Sequence, residues 1–265
     1  MFIDSHCHLN FQQLKENLPA IRQAMEIAQV SKALCICTTL EEFESVHQLA
    51  IDYENFWCTV GVHPENEASQ EPSVEDLVKL AGLNKVVGIG ETGLDYYRLG
   101  ERTVNDMQWQ RDRFRVHIRA ACRTEKPLVI HTRNASEDTL AILREESNHA
   151  AQDKPARGVF HCFTESRAVA RDVLDLGFYI SFSGILTFKT ADAIRDVARF
   201  VPLDRLLIET DSPYLAPMPY RGRINNPSYV PLVAKQLSLI RPESLEVIAH
   251  ATSCNFEQLF MGLAA

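Results

Sequence analysis

Six residues carry most of the chemistry available to this 265-residue sequence: His6, His8, Glu91, His131, His161 and Asp211. Imidazole and carboxylate are the common ligands of zinc, manganese and related divalent ions. On a strand, residues two apart share a face, so His6-Cys7-His8 can present both imidazoles to one ion while Cys7 turns away. A lone His-x-His is a weak signal, and any single member of the set has an ordinary structural reading as a hydrogen-bonded histidine or a turn-forming carboxylate. Together they are a strong one. Six ligands exceed what one open catalytic zinc site usually takes, and Glu91 has two oxygens with which to bridge two ions. A pair of ions roughly 3.5–4 Å apart activates water and stabilises the attacking and leaving oxygens of phosphoester hydrolysis. The set therefore predicts a two-metal hydrolase in which Asp211 can both bind an ion and accept a proton from the attacking water.

These residues are far apart along the chain, so regular elements must bring them together. Eight short apolar or β-branched runs recur at residues 1–5, 33–38, 57–62, 85–90, 127–130, 158–160, 178–183 and 205–210. Between or after them lie stretches with helical spacing at 20–30, 40–53, 74–81, 106–123, 137–146, 166–176, 190–199 and 231–240. The strand ends are spaced by about 29 residues on average, the length of a βα unit. An open doubly wound sheet competes, but eight units of similar length favour an α/β fold of the (β/α)8 TIM-barrel type, in a single domain over residues 1–265. The proline-rich stretch 213–227 reads as a long ordered loop after the last strand. In such a barrel the strand ends at His6, His63, Glu91, His131, His161 and Asp211 converge on one mouth, where these folds do chemistry. His63, in Gly61-Val62-His63-Pro64, is expected to face substrate or to support the ligands rather than bind an ion itself. His47, His117, His149 and His250 fall in helical stretches and are expected to be surface or packing residues.

Lys and Arg number 27 against 35 Asp and Glu, a formal net charge of −8, so an anionic substrate must be drawn locally and not by the whole surface. Arg133, Arg98, Arg221 and Arg223 lie in post-strand positions able to supply that charge. Tyr96 and Tyr97, and more weakly Phe163 and Tyr220, offer rings on which a base can stack. Seven scattered cysteines read as reduced thiols, with Cys35 and Cys37 in the core. There is no phosphate-binding GxxxxGK[ST] loop, dinucleotide glycine pattern or membrane-length apolar run; no signal peptide is expected, and the chain is expected to act in the cytoplasm as a monomer.

Asp4-Ser5-His6-Cys7-His8-Leu9, Gly61-Val62-His63-Pro64, Gly90-Glu91-Thr92-Gly93-Leu94-Asp95-Tyr96-Tyr97, Ile130-His131-Thr132-Arg133, His161-Cys162-Phe163-Thr164 and Ile208-Glu209-Thr210-Asp211-Ser212-Pro213 together resemble the successive motifs of TatD-type metal-dependent deoxyribonucleases, and among them the bacterial YcfH-like branch. The resemblance covers nearly the whole chain. It implies a metal-dependent hydrolase barrel with two divalent ions, Mg, Mn or Zn. By that analogy His6, His8 and Asp211 serve one ion, His131 and His161 the other, and Glu91 bridges them. Glu209 would orient the ligands around Asp211. The implied activity is hydrolysis of DNA, often from an end, and single-stranded ends are the expected substrate. Arg223-Ile224, where the family pattern leads one to expect Lys and a polar residue, and the unmatched segment 99–108 depart from it. A small phosphoester, ester or amide is the competing substrate class on the same metal site, and a non-catalytic barrel is disfavoured because all six ligand positions are intact.

Overall fold

The computed structural model describes residues 1–149 and 154–262, the side chains of 147–149 excepted. Eight strands form one sheet in chain order, each pairing in parallel with the next. They are β1 (Phe2–Cys7), β2 (Val30–Cys35), β3 (Phe56–Val60), β4 (Val86–Asp95), β5 (Leu128–Arg133), β6 (Gly158–Phe160), β7 (Tyr179–Phe182) and β8 (Leu206–Ile208). Helices cover the outside: α1 (Gln12–Lys15), α2 (Leu18–Ile27), α3 (Phe43–Asp52), α4 (Val74–Ala81), α5 (Gln108–Thr124), α6 (Ser136–His149), α7 (Arg167–Asp175), α8 (Asp192–Phe200), α9 (Val230–Ile240) and α10 (Leu245–Phe256). This is the (β/α)8 barrel that the spacing predicts.

The barrel is drawn together at the β1–β8 seam by bonds just beyond the regular ladder. Asp211 N–H donates to the His6 carbonyl at 2.9 Å, and His8 N–H donates to the Ser212 carbonyl at 2.8 Å. The buried Asp4 side chain ties the same seam. Its Oδ1 accepts from the N–H groups of Thr210 (2.9 Å) and His6 (3.2 Å), and its Oδ2 accepts from the Thr210 hydroxyl (2.5 Å). Seam and candidate ligands are therefore one structure.

Two apolar layers follow from strands buried on both faces. The larger lies between sheet and helices. In the smaller, Ile3, Leu34, Val129, Val159, Tyr179 and Leu207 pack with Phe256, Leu259 and Phe260 at the end of the chain. Thus α10 and the π-helical turn Glu257–Met261 close the end of the barrel away from the mouth. All seven cysteines are free, and Cys35 and Cys37 are wholly buried.

Several boundaries differ from the sequence reading. β4 runs on to Asp95 where the glycines at 88, 90 and 93 suggest an end at Gly90. A Cβ at Gly93 would lie 1.9 Å from the His131 carbonyl oxygen, so these glycines permit a close approach of β4 to β5 and do not stop the strand. β8 ends at Ile208, three residues before Asp211. His117 is buried, donating from Nδ1 to the Arg113 carbonyl and accepting at Nε2 from Val62 N–H, which braces the segment leading to His63. His47 pairs with the Asn84 carbonyl and His250 is exposed, whereas the His149 side chain lies outside those described. Among the described residues no helix is long and apolar enough to cross a membrane.

Candidate metal centre

Glu91, near the middle of β4, is 3% exposed and lies between two groups of imidazoles. Its Oε2 faces His6 Nε2 at 3.3 Å and His8 Nε2 at 3.9 Å. Its Oε1 faces His161 Nε2 at 2.8 Å, and His131 Nδ1 and His63 Nε2 at 3.4 Å each. Asp211 Oδ1 completes the first group, 3.6 Å from His6 Nε2 and 3.5 Å from His8 Nε2. The six sequence-predicted positions thus meet at one point, from strands spread around the barrel. Asp211 has φ +56°, a left-handed conformation that turns the chain directly after β8.

The donor set fits divalent cations. Three groupings, His6–His8–Glu91, His6–His161–Asp211 and His63–Glu91–His131, each have ligand atoms within 4.8 Å of one another. His6 Nε2 and His8 Nε2 are only 3.3 Å apart, and His161 Nε2 is buried with no hydrogen-bond partner despite its nearness to Glu91. Nitrogen lone pairs and carboxylate oxygens converging this closely suit Zn or Mn, and the carboxylates suit Mg.

Electrostatics agree. Burial works to raise the Glu91 carboxyl, but His161, His63 and His6 outweigh it and hold it well below the usual carboxylate range. Asp211 is likewise held low, against burial, by His8 and His6. Burial opposes charge on His161, yet Glu91 and Glu209 raise it well above the ordinary imidazole value. Both carboxylates are favoured in their ionised form because imidazoles face them, a demand that a cation meets equally well.

His63 differs from its neighbours. Its Nδ1 accepts from Glu65 N–H at 3.1 Å, so the neutral ring carries its proton on Nε2, the nitrogen that faces Glu91. A protonated nitrogen has no lone pair for an ion, and this hydrogen-bonding pattern favours a donor over a ligand. Arg113 Nη1, donating to the His63 carbonyl at 2.9 Å, holds that loop in place.

Behind the candidate ligands stand two carboxylates. Asp95 Oδ2 lies 2.9 Å from His131 Nε2, leaving Nδ1 to face Glu91. The sequence reading assigns Asp95 no role, although it sits in the Gly90–Tyr97 motif; the β4–β5 register that pairs Asp95 with Arg133 puts it there. Glu209 Oε1 accepts from Cys162 N–H at 2.7 Å and faces His161 Nδ1 at 3.3 Å, so it supports His161, whose ligand atom lies within 4.8 Å of those of His6 and Asp211.

The mouth is a cavity of about 640 Å³, lined by His8, Thr38, His63, Glu91, Arg133 and Asp211 among others. Arg98 and Arg133 line it too, whereas the Arg221 guanidinium lies outside the lining, 4.4 Å over the Phe188 ring. The aromatic residues named in the sequence differ in exposure. Tyr96 is buried, its hydroxyl donating to Asp138 and accepting from Arg111, so its ring is no platform for a base. Tyr97 is 54% exposed, but the Arg133 guanidinium stands 3.5 Å over one face. Phe163 is buried and Tyr220 stacks on Tyr229. Arg223 lies 5.9 Å from the Tyr220 ring.

A parallel barrel with such a nitrogen–oxygen donor set in its mouth defines a metal-dependent hydrolase. The chain belongs to the TatD-related DNase family, whose model matches residues 3–261. It is 44% identical over 261 residues to the "Uncharacterized metal-dependent hydrolase YcfH" of Escherichia coli K12, covering 97% of this chain and 95% of that one. It is 34% identical over 239 residues to the "3′-5′ ssDNA/RNA exonuclease TatD" of Citrobacter rodentium, covering 88% of each. Among solved structures it superposes on YJJV, a TatD homologue from Escherichia coli K12, with a TM-score of 0.88 at 29% identity over 98% of both chains.

Proposed function

We propose that this protein is a deoxyribonuclease that removes nucleotides from the 3′ end of single-stranded DNA, acting as a one-domain, cytoplasmic monomer with two divalent ions, Mg, Mn or Zn. The observation that carries the reading is Glu91, whose two oxygens face separate imidazole groups beneath a mouth lined by Arg98 and Arg133. The exonuclease name of the Citrobacter relative supports the substrate and polarity. His6, His8 and Asp211 would hold one ion, His131 and His161 the other, with Glu91 between them. When bound, the ions supply Lewis acidity that lowers the pKa of water and offsets charge on the phosphoryl oxygens.

The chain's own residues supply the rest. Asp211, ionised, accepts the proton of the attacking water. Attack at phosphorus breaks the P–O3′ bond, releases a 5′-nucleotide and leaves a 3′-hydroxyl on the shortened strand. His63, whose Nε2–H faces the centre, donates a hydrogen bond to the departing oxygen, and the proton that Asp211 takes from water passes on to that oxygen as the 3′-hydroxyl. Arg133, its guanidinium held over the Tyr97 ring, binds a neighbouring phosphate.

A second reading, hydrolysis of a small phosphoester, ester or amide, is favoured by the net charge of −8. Digestion of 3′- and 5′-labelled single-stranded and duplex DNA separates the two, using metal-stripped protein with Mg, Mn or Zn restored and Asp211→Asn as control. Stepwise, metal-dependent loss of the 3′ label, absent in the variant, is expected. DNA left intact under every metal, while wild type alone hydrolyses a generic ester, would leave the metal site and remove the nuclease.

A further inference from the structure

The mouth is not uniform around its rim. Its apolar lining comes from one side: Phe11 follows β1, Ile185 follows β7, and Tyr214 and Leu215 follow β8. Its arginines come from the other: Arg98 follows β4 and Arg133 ends β5. In a barrel of eight strands in sequential order, β8 and β1 are neighbours, and β4 and β5 lie across from them. The metal-site residues lie between the two halves, with Glu91 on β4 facing His6 and His8 on the β1 side.

The apolar half is rigidly built. Tyr214 N–H donates to the Asp211 carbonyl at 2.9 Å, and its own carbonyl accepts from Asn225 Nδ2 at 2.6 Å. The β7 and β8 loops touch at Gly184, where a Cβ would lie 2.0 Å from the Leu215 carbonyl oxygen. Tyr214 is nevertheless 55% exposed. Beneath it the Phe11 ring meets Tyr214 edge-on with centroids 6.3 Å apart, and stacks on His8 at 4.9 Å. A continuous series of rings therefore runs from the donor cluster to the rim. An exposed aromatic on a locked backbone loses little entropy when a flat partner settles on it.

We infer that the Phe11–Tyr214 wall is a subsite for the nucleobase of the terminal nucleotide, and that the Arg98–Arg133 wall takes the phosphates of the strand body. This rests on the nuclease reading and assigns its polarity across the mouth. The assignment follows from charge. The terminal nucleotide is joined to the strand by a single phosphodiester, the one that is cut, so beyond the ions it offers chiefly a base. The body offers one phosphate per residue and needs cations.

Binding tests this without cleavage. Fluorescent single-stranded hexanucleotides are titrated in EDTA, ending at the 3′ side in either a normal nucleotide or an abasic one. Wild type is expected to bind the base-ended strand about tenfold more tightly, in keeping with the worth of one base–aromatic stack. The ratio should fall to about 1 in Tyr214→Ala and persist in Tyr214→Phe. Arg133→Ala should weaken both strands and keep the ratio. Equal binding of the two strands by wild type, a ratio surviving in Tyr214→Ala, or one lost in Arg133→Ala overturns the proposal. A ratio that behaves as expected while no metal supports cleavage keeps the subsite and removes the nuclease reading.

Discussion

Asp95 Oδ2 stands 2.9 Å from His131 Nε2, and this one contact fixes which nitrogen of His131 faces the centre. With Nε2–H donating to Asp95, Nδ1 keeps its lone pair and points to Glu91 Oε1 at 3.4 Å. Asp95 is itself held, its Oδ1 accepting from Tyr97 N–H at 2.8 Å. An outer carboxylate on a metal-binding histidine typically accounts for 10–100-fold in affinity. Asp95→Ala is therefore expected to weaken Mn binding by about that factor in calorimetric titration. Affinity within twofold of wild type would show that His131 needs no such support, or binds no ion.

The convergence of the six candidate ligands was legible because a parallel barrel brings all its strand ends to one mouth, so strand-end histidines and acids meet whatever the loop details. Asp95 was not legible, because its partner is set by the β4–β5 register, and the glycines that allow that close pairing read locally as a strand stop. Tyr96 and Tyr97 look alike in sequence, yet Tyr96 directly follows β4 and is buried while Tyr97 begins a turn and is 54% exposed, a difference that no local pattern marks. The role of Phe256 and Phe260 as the floor of the barrel was equally hidden, since a helical apolar pattern does not say which surface it covers.

Asp4 gives a test of the seam. Removing its side chain leaves the N–H groups of His6 and Thr210 and the Thr210 hydroxyl without their buried acceptor, so Asp4→Ala is expected to cost about 2–4 kcal/mol in urea unfolding. Asp4→Asn retains an acceptor and should cost less. Burial pushes the Asp4 carboxyl up from 3.8 to about 8, against the bonds from Thr210 and His6. The folded protein thus holds this proton more tightly than the unfolded chain. Its contribution is full below about pH 3.8 and is lost as pH rises through about 8. Relative to wild type, chelator-treated Asp4→Asn should gain stability between pH 5 and pH 8. A constant difference over that range would refute the assignment.

His117 predicts the opposite slope. Burial lowers its imidazole from 6.5 to about 4, the bond to the Arg113 carbonyl only partly opposing this. The unfolded chain therefore takes up the proton first, and stability is full above about pH 6.5 and lost as pH falls toward 4. The ceiling on this loss is about 3 kcal/mol. His117→Gln, able to donate to Arg113 and accept from Val62, should unfold in urea with a shallower decline between pH 7 and pH 5. Parallel declines in the two proteins would place the acid sensitivity elsewhere.

Arg133 and Tyr97 separate charge from orientation. The guanidinium lies 3.5 Å over the Tyr97 ring, a stack that holds the charge in place before any phosphate arrives. Each phosphate neutralised on a single strand contributes about 0.7 to the slope of log affinity against log salt. Arg133→Ala should thus flatten that slope by about 0.7 for a single-stranded oligonucleotide in EDTA. Tyr97→Ala keeps the cation but releases it, so affinity should fall a few-fold at every salt concentration with the slope unchanged. Should Tyr97→Ala flatten the slope as much as Arg133→Ala does, the ring would be needed to bring the arginine to the phosphate at all; should it leave affinity untouched, the stack would contribute nothing to binding.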